Sequence, residues 1–216
     1  LMFACKKYLL NIVKVLLRSK NIQINLPNGH GETPLYIACK HANLNVVNAL
    51  IQCKDIEINQ PKKDGWSPLL VACEKRHIKI VQVLLQCKRI QINQSNNDGA
   101  TPLFIVCLGG HLQIANALLQ SKNIQINQSV DNGWTPLPAA CDKGHSNIVN
   151  ALLQSIVIQV NQPAAEGGWT PLFLACEIGH MNAINALLAK NEIQINQAAN
   201  DGCTPLYMAC QYDHVK

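Results

Sequence analysis

One tripeptide recurs along the whole chain. Thr33-Pro34-Leu35 returns as Ser67-Pro68-Leu69, then as Thr-Pro-Leu at 101–103, 135–137, 170–172 and 204–206. The spacings are 34, 34, 34, 35 and 34 residues. The rest of each unit repeats in register. A cysteine follows four residues after each leucine, at 39, 73, 107, 141, 176 and 210. The phrase I-x-I-N, once I-x-V-N, ends at Asn25, Asn59, Asn93, Asn127, Asn161 and Asn196. A fixed period of this length means one supersecondary unit copied many times. No copy can bury its apolar face alone, so stacked neighbours must share the core.

Each copy reads as helix, turn, helix and extended loop. Thr33 is a good N-cap residue, and Pro34 suits the first helical position, where its missing N–H costs nothing. Leu35, Ala38 and Cys39 follow at helical spacing. A second helix runs through NLNVVNALIQ, with apolar residues at 44, 46, 47, 50 and 51. Ile56 and Ile58 then alternate with polar residues, as an extended strand would. Asp64-Gly65 marks a turn. Pro138 falls at the third position of its helix, where an N–H has no intrahelical partner. It removes one donor from the Thr135 cap and is tolerated there.

These features resemble the ankyrin repeat family over the whole chain. The family outline G-x-TPLHxAA…GHxxxVxxLL…DVN is matched by DGATPLFIVCLGGHLQIANALLQSKNIQIN at 98–127. The resemblance implies an all-α ankyrin-repeat solenoid of period 34, one domain over 1–216. Its units are 1–32 (partial), 33–66, 67–100, 101–134, 135–169, 170–203 and 204–216 (partial). The chain departs from the family where the histidine after Thr-Pro-Leu is expected. Tyr36, Leu70, Phe104, Pro138, Phe173 and Tyr207 stand there instead. Both end units are cut through, and the expectation is a segment of a longer protein.

CDKGH at 141–145 offers candidate chemistry. Cys141 and His145 are four apart, which on a helix puts both side chains on one face. Such a pair suits a zinc site or a nucleophile and its base. The repeat argues otherwise. The same spacing recurs as CEKRH (73–77), CLGGH (107–111), CEIGH (176–180) and CQYDH (210–214), one pair per unit. Packed helices lie about 8–10 Å apart, too far for neighbouring pairs to share one ion. The resemblance implies that this cysteine is a small inward-packing residue and that the histidine ties neighbouring repeats together. We therefore expect no catalytic residue, no metal and no cofactor. Cys53 and Cys87 share a column with Ser19, Ser121 and Ser155, as a small, partly exposed position would. Cys203 lies on a turn tip, where an exposed, reactive thiol is the minor reading beside an inert one. The asparagine column resembles the site of asparaginyl hydroxylation in the family.

Candidate contact residues are those that vary where the framework does not. The resemblance implies a concave surface of hairpin tips and first helices. All three tryptophans, Trp66, Trp134 and Trp169, occupy the one column just before Thr/Ser-Pro-Leu. Either they are binding anchors, a role in which Trp is enriched, or each packs on its neighbouring hairpin beside Pro61 or Pro163. On the first helices, Lys75 and Lys143 are charged, whereas Leu108 and Ile178 are apolar. Ile156 and Val157 replace the polar pairs Lys54-Asp55, Lys88-Arg89 and Lys122-Asn123. One residue is inserted nearby in PAAEGGW. This stretch reads either as a contact patch or as a loop repacked around the insertion.

Charge is uneven. Residues 1–108 carry 14 Lys/Arg and 6 Asp/Glu, a net +8; residues 109–216 carry 4 and 7, a net −3. The first half could meet an acidic partner. Nucleic-acid binding would want aromatics interleaved with the basic residues, and few accompany Lys54, Lys62, Lys63, Lys75, Arg76, Lys79, Lys88 and Arg89. Ten cysteines in this pattern point to reduced thiols and an intracellular, cytoplasmic setting. No apolar run of about eighteen residues exists to span a membrane, and Lys6, Lys7 and Lys14 break the opening stretch as a signal peptide. The expected function is a non-enzymatic protein–protein interaction scaffold or adaptor with a protein partner and no small-molecule substrate. The alternatives are a regulatory arm of a larger enzyme or channel and an architectural self-associating element.

Overall fold

The structure, a computed structural model, describes residues 1–164 and 167–212. Ala165 and Glu166 of the insertion, and His214 of the last Cys–His pair, lie outside the described residues. The described chain is α-helical: α1 (Met2–Lys6), α2 (Leu10–Leu17), α3 (Pro34–Lys40), α4 (Leu44–Ile51), α5 (Pro68–Glu74), α6 (Ile78–Leu85), α7 (Pro102–Gly109), α8 (Leu112–Leu119), α9 (Pro136–Asp142), α10 (Ser146–Leu153), α11 (Pro171–Ile178), α12 (Met181–Leu188) and α13 (Pro205–Gln211). None of these helices is long and apolar enough to cross a membrane. The chain divides into two compact units, Leu1–Pro102 and Leu103–Lys216.

Within the first unit, α3 packs between α1 and α5, and α4 between α2 and α6. Within the second, α11 packs between α9 and α13, and α10 between α8 and α12. First helices thus stack on first helices and second helices on second helices. The core is what the sequence period placed there. Leu35, Ala38 and Cys39 of α3 are buried, and so are Val46, Val47 and Leu50 of α4.

The caps follow the sequence closely. The hydroxyl oxygens of Thr33, Ser67, Thr170 and Thr204 accept from the N–H three residues on, at 3.1–3.3 Å. Thr135 makes no such bond, because Pro138 occupies the donor position and has no N–H to give.

The I-x-I-N segments are turns and irregular chain, not strands. Ile56 and Ile58 are both buried and Glu57 is exposed, so the alternation survives without a ladder. The hydrogen bonds a neighbouring strand would supply come instead from the asparagine of the preceding repeat. In the first unit, Asn25 Oδ1 accepts from Glu57 N at 2.9 Å, and its Nδ2 donates to the Asp55 carbonyl at 2.7 Å. Asn59 does the same to Gln91 and Arg89. In the second unit, Asn127 bridges Gln159 and Val157, and Asn161 bridges Gln194 and Glu192.

A second column concerns the turn between paired helices. Tyr8, Ala42 and Arg76 have φ near +60°, where Gly110, Gly144 and Gly179 stand in the later repeats. A Cβ in this left-handed region costs roughly 1–2 kcal/mol. Ala42→Gly should therefore raise the unfolding free energy, by about 0.5–1 kcal/mol after allowing for the flexibility glycine adds to the unfolded chain. Urea denaturation of the two proteins would check this, and an unchanged or lower midpoint would count against the strain.

Candidate functional site

The hairpin preceding each first helix is closed by its own backbone and braced by the next one. In the first unit, Lys62 N donates to the Trp66 carbonyl at 3.0 Å and Gly65 N to the Lys62 carbonyl at 2.9 Å. Asn97 of the following hairpin donates through its N–H to the Asp64 carbonyl (3.1 Å) and through Nδ2 to the Lys63 carbonyl (3.3 Å). In the second unit, the carbonyls of Trp134 and Trp169 close their hairpins by accepting from Val130 N and Ala164 N, each at 2.9 Å.

All three tryptophan side chains are half-buried. Trp169 packs against a cluster of Phe173, Ala199 and Met208, together with Cys203. It is thus part of the core of the second unit as well as of its surface. Cys203 is half-buried in the same contact. Desolvation, and then the Asp201 carboxylate, hold its thiol above the ordinary value, the opposite of what a reactive thiol needs.

The candidate first-helix residues are exposed at the C-terminal ends of their helices. In the second unit, Leu108 lies in the last turn of α7 at 42% exposure, Lys143 caps α9 and Ile178 ends α11 at 41% exposure. Lys143 Nζ lies 2.8 Å from Asp142 Oδ2. In the first unit, Lys75 is exposed and Nζ lies 3.3 Å from Glu74 Oε2. Exposed ion pairs of this kind stabilise by only about 0–1 kcal/mol, so both ammonium groups can exchange their partners readily. Ile156 is fully exposed and Val157 largely so. They follow α10, one helix length or about 12 Å from the turn that carries Lys143. Leu108, Lys143 and Ile178 are each exposed at the C-terminal end of a first helix, whereas Ile156 and Val157 follow a second helix.

In two of the Cys–His pairs the thiol and the imidazole serve different ends. Cys141 is buried, and burial, followed by Asp142, pushes its thiol up. His145 turns away and donates from Nε2 to the Leu108 carbonyl at 3.3 Å. His77 likewise donates to the Lys40 carbonyl at 3.3 Å, and burial pushes the Cys73 thiol up. Burial takes the Cys5 and Cys176 thiols up to about 11. A buried neutral thiol is neither nucleophile nor zinc ligand. Among the described residues, no three His, Cys, Asp or Glu side chains gather as metal ligands would. Cys53 and Cys87 are half-buried and donate to the Ala49 and Val83 carbonyls at 3.6 and 3.5 Å.

The asparagine bridges and the non-glycine left-handed turns escaped the sequence reading. Both columns are visible once the repeats are aligned, but their partners are not.

A family model described as ankyrin repeats (3 copies) matches residues 1–96, 88–164 and 158–216. No curated protein matches the chain. Among solved structures, the chain is similar to an ankyrin repeat domain from Acinetobacter baumannii AYE. The TM-score is 0.79 at 25% identity, covering 87% of this chain and 95% of that one. It is also similar to the human ASB11 ankyrin repeat domain, with a TM-score of 0.77 at 23% identity, covering 96% of this chain and 90% of that one.

Proposed function

Because this chain belongs to the ankyrin repeat family, we propose that it is a non-enzymatic recognition module, a scaffold or adaptor segment that holds a protein partner. Ankyrin repeats generally serve protein–protein interaction. The reading is supported most by the exposed first-helix ends of the second unit, where Leu108 and Ile178 present apolar side chains and Lys143 a charged one. Aligned positions elsewhere carry Lys40, His41, Glu74 and Lys75, so packing does not require an apolar residue there. An interface core of aliphatic anchors with a charged rim is the usual anatomy of a protein contact. Trp66, Trp134 and Trp169 add aromatic surface from the hairpins, and Ile156 with Val157 forms a separate apolar patch. The setting proposed is cytoplasmic, where the buried thiols would stay reduced.

The test is quantitative affinity capture from the native cell extract, comparing the wild-type chain with Leu108→Glu/Ile178→Lys. These changes introduce residue types that the column already holds, so helicity should be unchanged by circular dichroism. One protein captured by wild type and depleted at least about tenfold by the variant supports the reading. Equal capture by both moves the contact away from this column, and Ile156→Lys/Val157→Asn is then the informative variant. Capture of nothing specific by either bait counts against a recognition role.

A further inference from the structure

We infer that the first unit carries a second, independent docking site on its second helices, and that its occupant is an acidic amphipathic segment of a protein partner. A groove of about 430 Å³ runs between α2 and α4. Its apolar lining includes Leu10, Leu17 and Ala49, and Lys14 and Arg18 line the α2 side. Leu10, Lys14, Leu17 and Arg18 fall at i, i+4, i+7 and i+8, a single stripe of one helix face.

The two basic residues depart from the repeat. At the position of Lys14, the later second helices carry Asn48, Gln82, Asn116, Asn150 and Asn185. At that of Arg18 they carry Gln52, Gln86, Gln120, Gln154 and Ala189. Uncharged residues thus satisfy the packing at both places, and the fold does not need the charge.

That charge is also unspent. Residues 1–102 hold 14 Lys/Arg against 6 Asp/Glu. Three of the acids are already paired on the hairpin and first-helix side, as Glu32–Lys40, Asp64–Lys62 and Glu74–Lys75. Lys14 and Arg18, with the nearby Lys20 and Lys54, are exposed and form no ion pair with described residues.

The groove's chemistry selects among anionic partners. An apolar floor of Leu10, Leu17 and Ala49, with one basic wall and the amides of Asn45, Asn48 and Gln52 opposite it, fits the two faces of an amphipathic helix, aliphatic side chains inward and carboxylates onto the basic rim. Single-stranded nucleic acid would want aromatic platforms for its bases, and no aromatic side chain lines this groove. A lipid surface is flat and would use the charges but not the floor.

The test titrates the 216-residue chain against a fluorescent probe peptide of about 20 residues, with Leu and Glu at helical spacing. Anisotropy is read at low and physiological salt. Wild type should bind, more weakly as salt rises. Lys14→Asn/Arg18→Gln should bind at least about tenfold more weakly, with an unchanged thermal midpoint, because it restores the amides of the other repeats. Lys122→Asn, which removes one positive charge in the other unit, should bind as wild type does. Parallel titrations use polyglutamate, a thymidine oligonucleotide and phosphatidylserine vesicles. Polyglutamate binding as tightly as the peptide would remove the role of the floor and overturn the proposal. Tighter binding of the oligonucleotide or the vesicles, equal peptide binding by wild type and double variant, or no peptide binding at millimolar concentration would each overturn it too. Failure of the Leu108–Ile178 surface to capture a partner leaves this outcome unaffected, since the two sites share no residue.

Discussion

Phe173→Ala is expected to lower the unfolding free energy by about 3–5 kcal/mol, the range for truncating a buried phenylalanine. Phe173 is the third residue of α11, and its N–H is held by the Thr170 hydroxyl at 3.1 Å. That cap fixes where the ring points. The ring is buried with Ala199 and Met208, with Trp169 and Cys203 packed on the cluster. Alanine would leave a cavity bounded by parts of three successive repeats, so it would weaken both a repeat and its interfaces with its neighbours. In a repeat array those are the terms that add up to stability. A loss of this size is a large share of the total of about 5–15 kcal/mol typical of natural domains. Phe173→Leu should cost under about 1.5 kcal/mol, since a large side chain is kept and Leu70 holds the same column of the first unit. Urea denaturation with matched slopes would measure both. A loss below about 1 kcal/mol for alanine would mean that the ring is not packed as described.

Phe173 also shows how far sequence reasoning reaches. Its column was legible, because Thr-Pro-Leu fixes the register and Tyr36, Leu70 and Phe104 share the position. Its partners were not, because nothing local in sequence brings residue 173 to residues 199 and 208. Helices, caps and core positions came from periods of 3.6 and 34 residues, which are one-dimensional signals. The strand-like alternation at Ile56 and Ile58 misled for a physical reason: it reports which side chains are buried, not which backbone groups are paired. Pairing there belongs to Asn25, a full repeat away. The site was legible in the same partial way. Variation marked Leu108, Lys143 and Ile178, and each is exposed at the end of its first helix. Trp169 was marked by the same logic, and it is half-buried against the Phe173 cluster, since a bulky residue at a hairpin base can serve either end. In the sequence, Lys14 only breaks the opening apolar stretch and Arg18 carries no signal of its own, because the groove beside them is a matter of packing.

Gly65→Ala should destabilise the first unit by about 3 kcal/mol, because two costs coincide there. Gly65 has φ +84°, a conformation that costs an L-residue roughly 1–2 kcal/mol. A Cβ would also lie 2.5 Å from Asn97 N and 2.8 Å from Asn96 C, both backbone atoms that cannot swing aside. Relief would push the two hairpins apart and break the bonds from Asn97 to the Asp64 and Lys63 carbonyls. Gly202→Ala separates the costs, since Gly202 has the same φ of +84° and its Cβ would meet nothing within 4 Å. That substitution should show the backbone strain alone, about 1–2 kcal/mol. The difference between the two measures what the hairpin contact contributes. Trp66 is the adjoining residue, so a displaced hairpin should also shift its fluorescence and its availability to a partner. If Gly65→Ala costs no more than Gly202→Ala, neighbouring hairpins in the first unit do not brace one another. A partner that depends on Trp66 would then meet a hairpin free to move, and its affinity should be insensitive to Gly65.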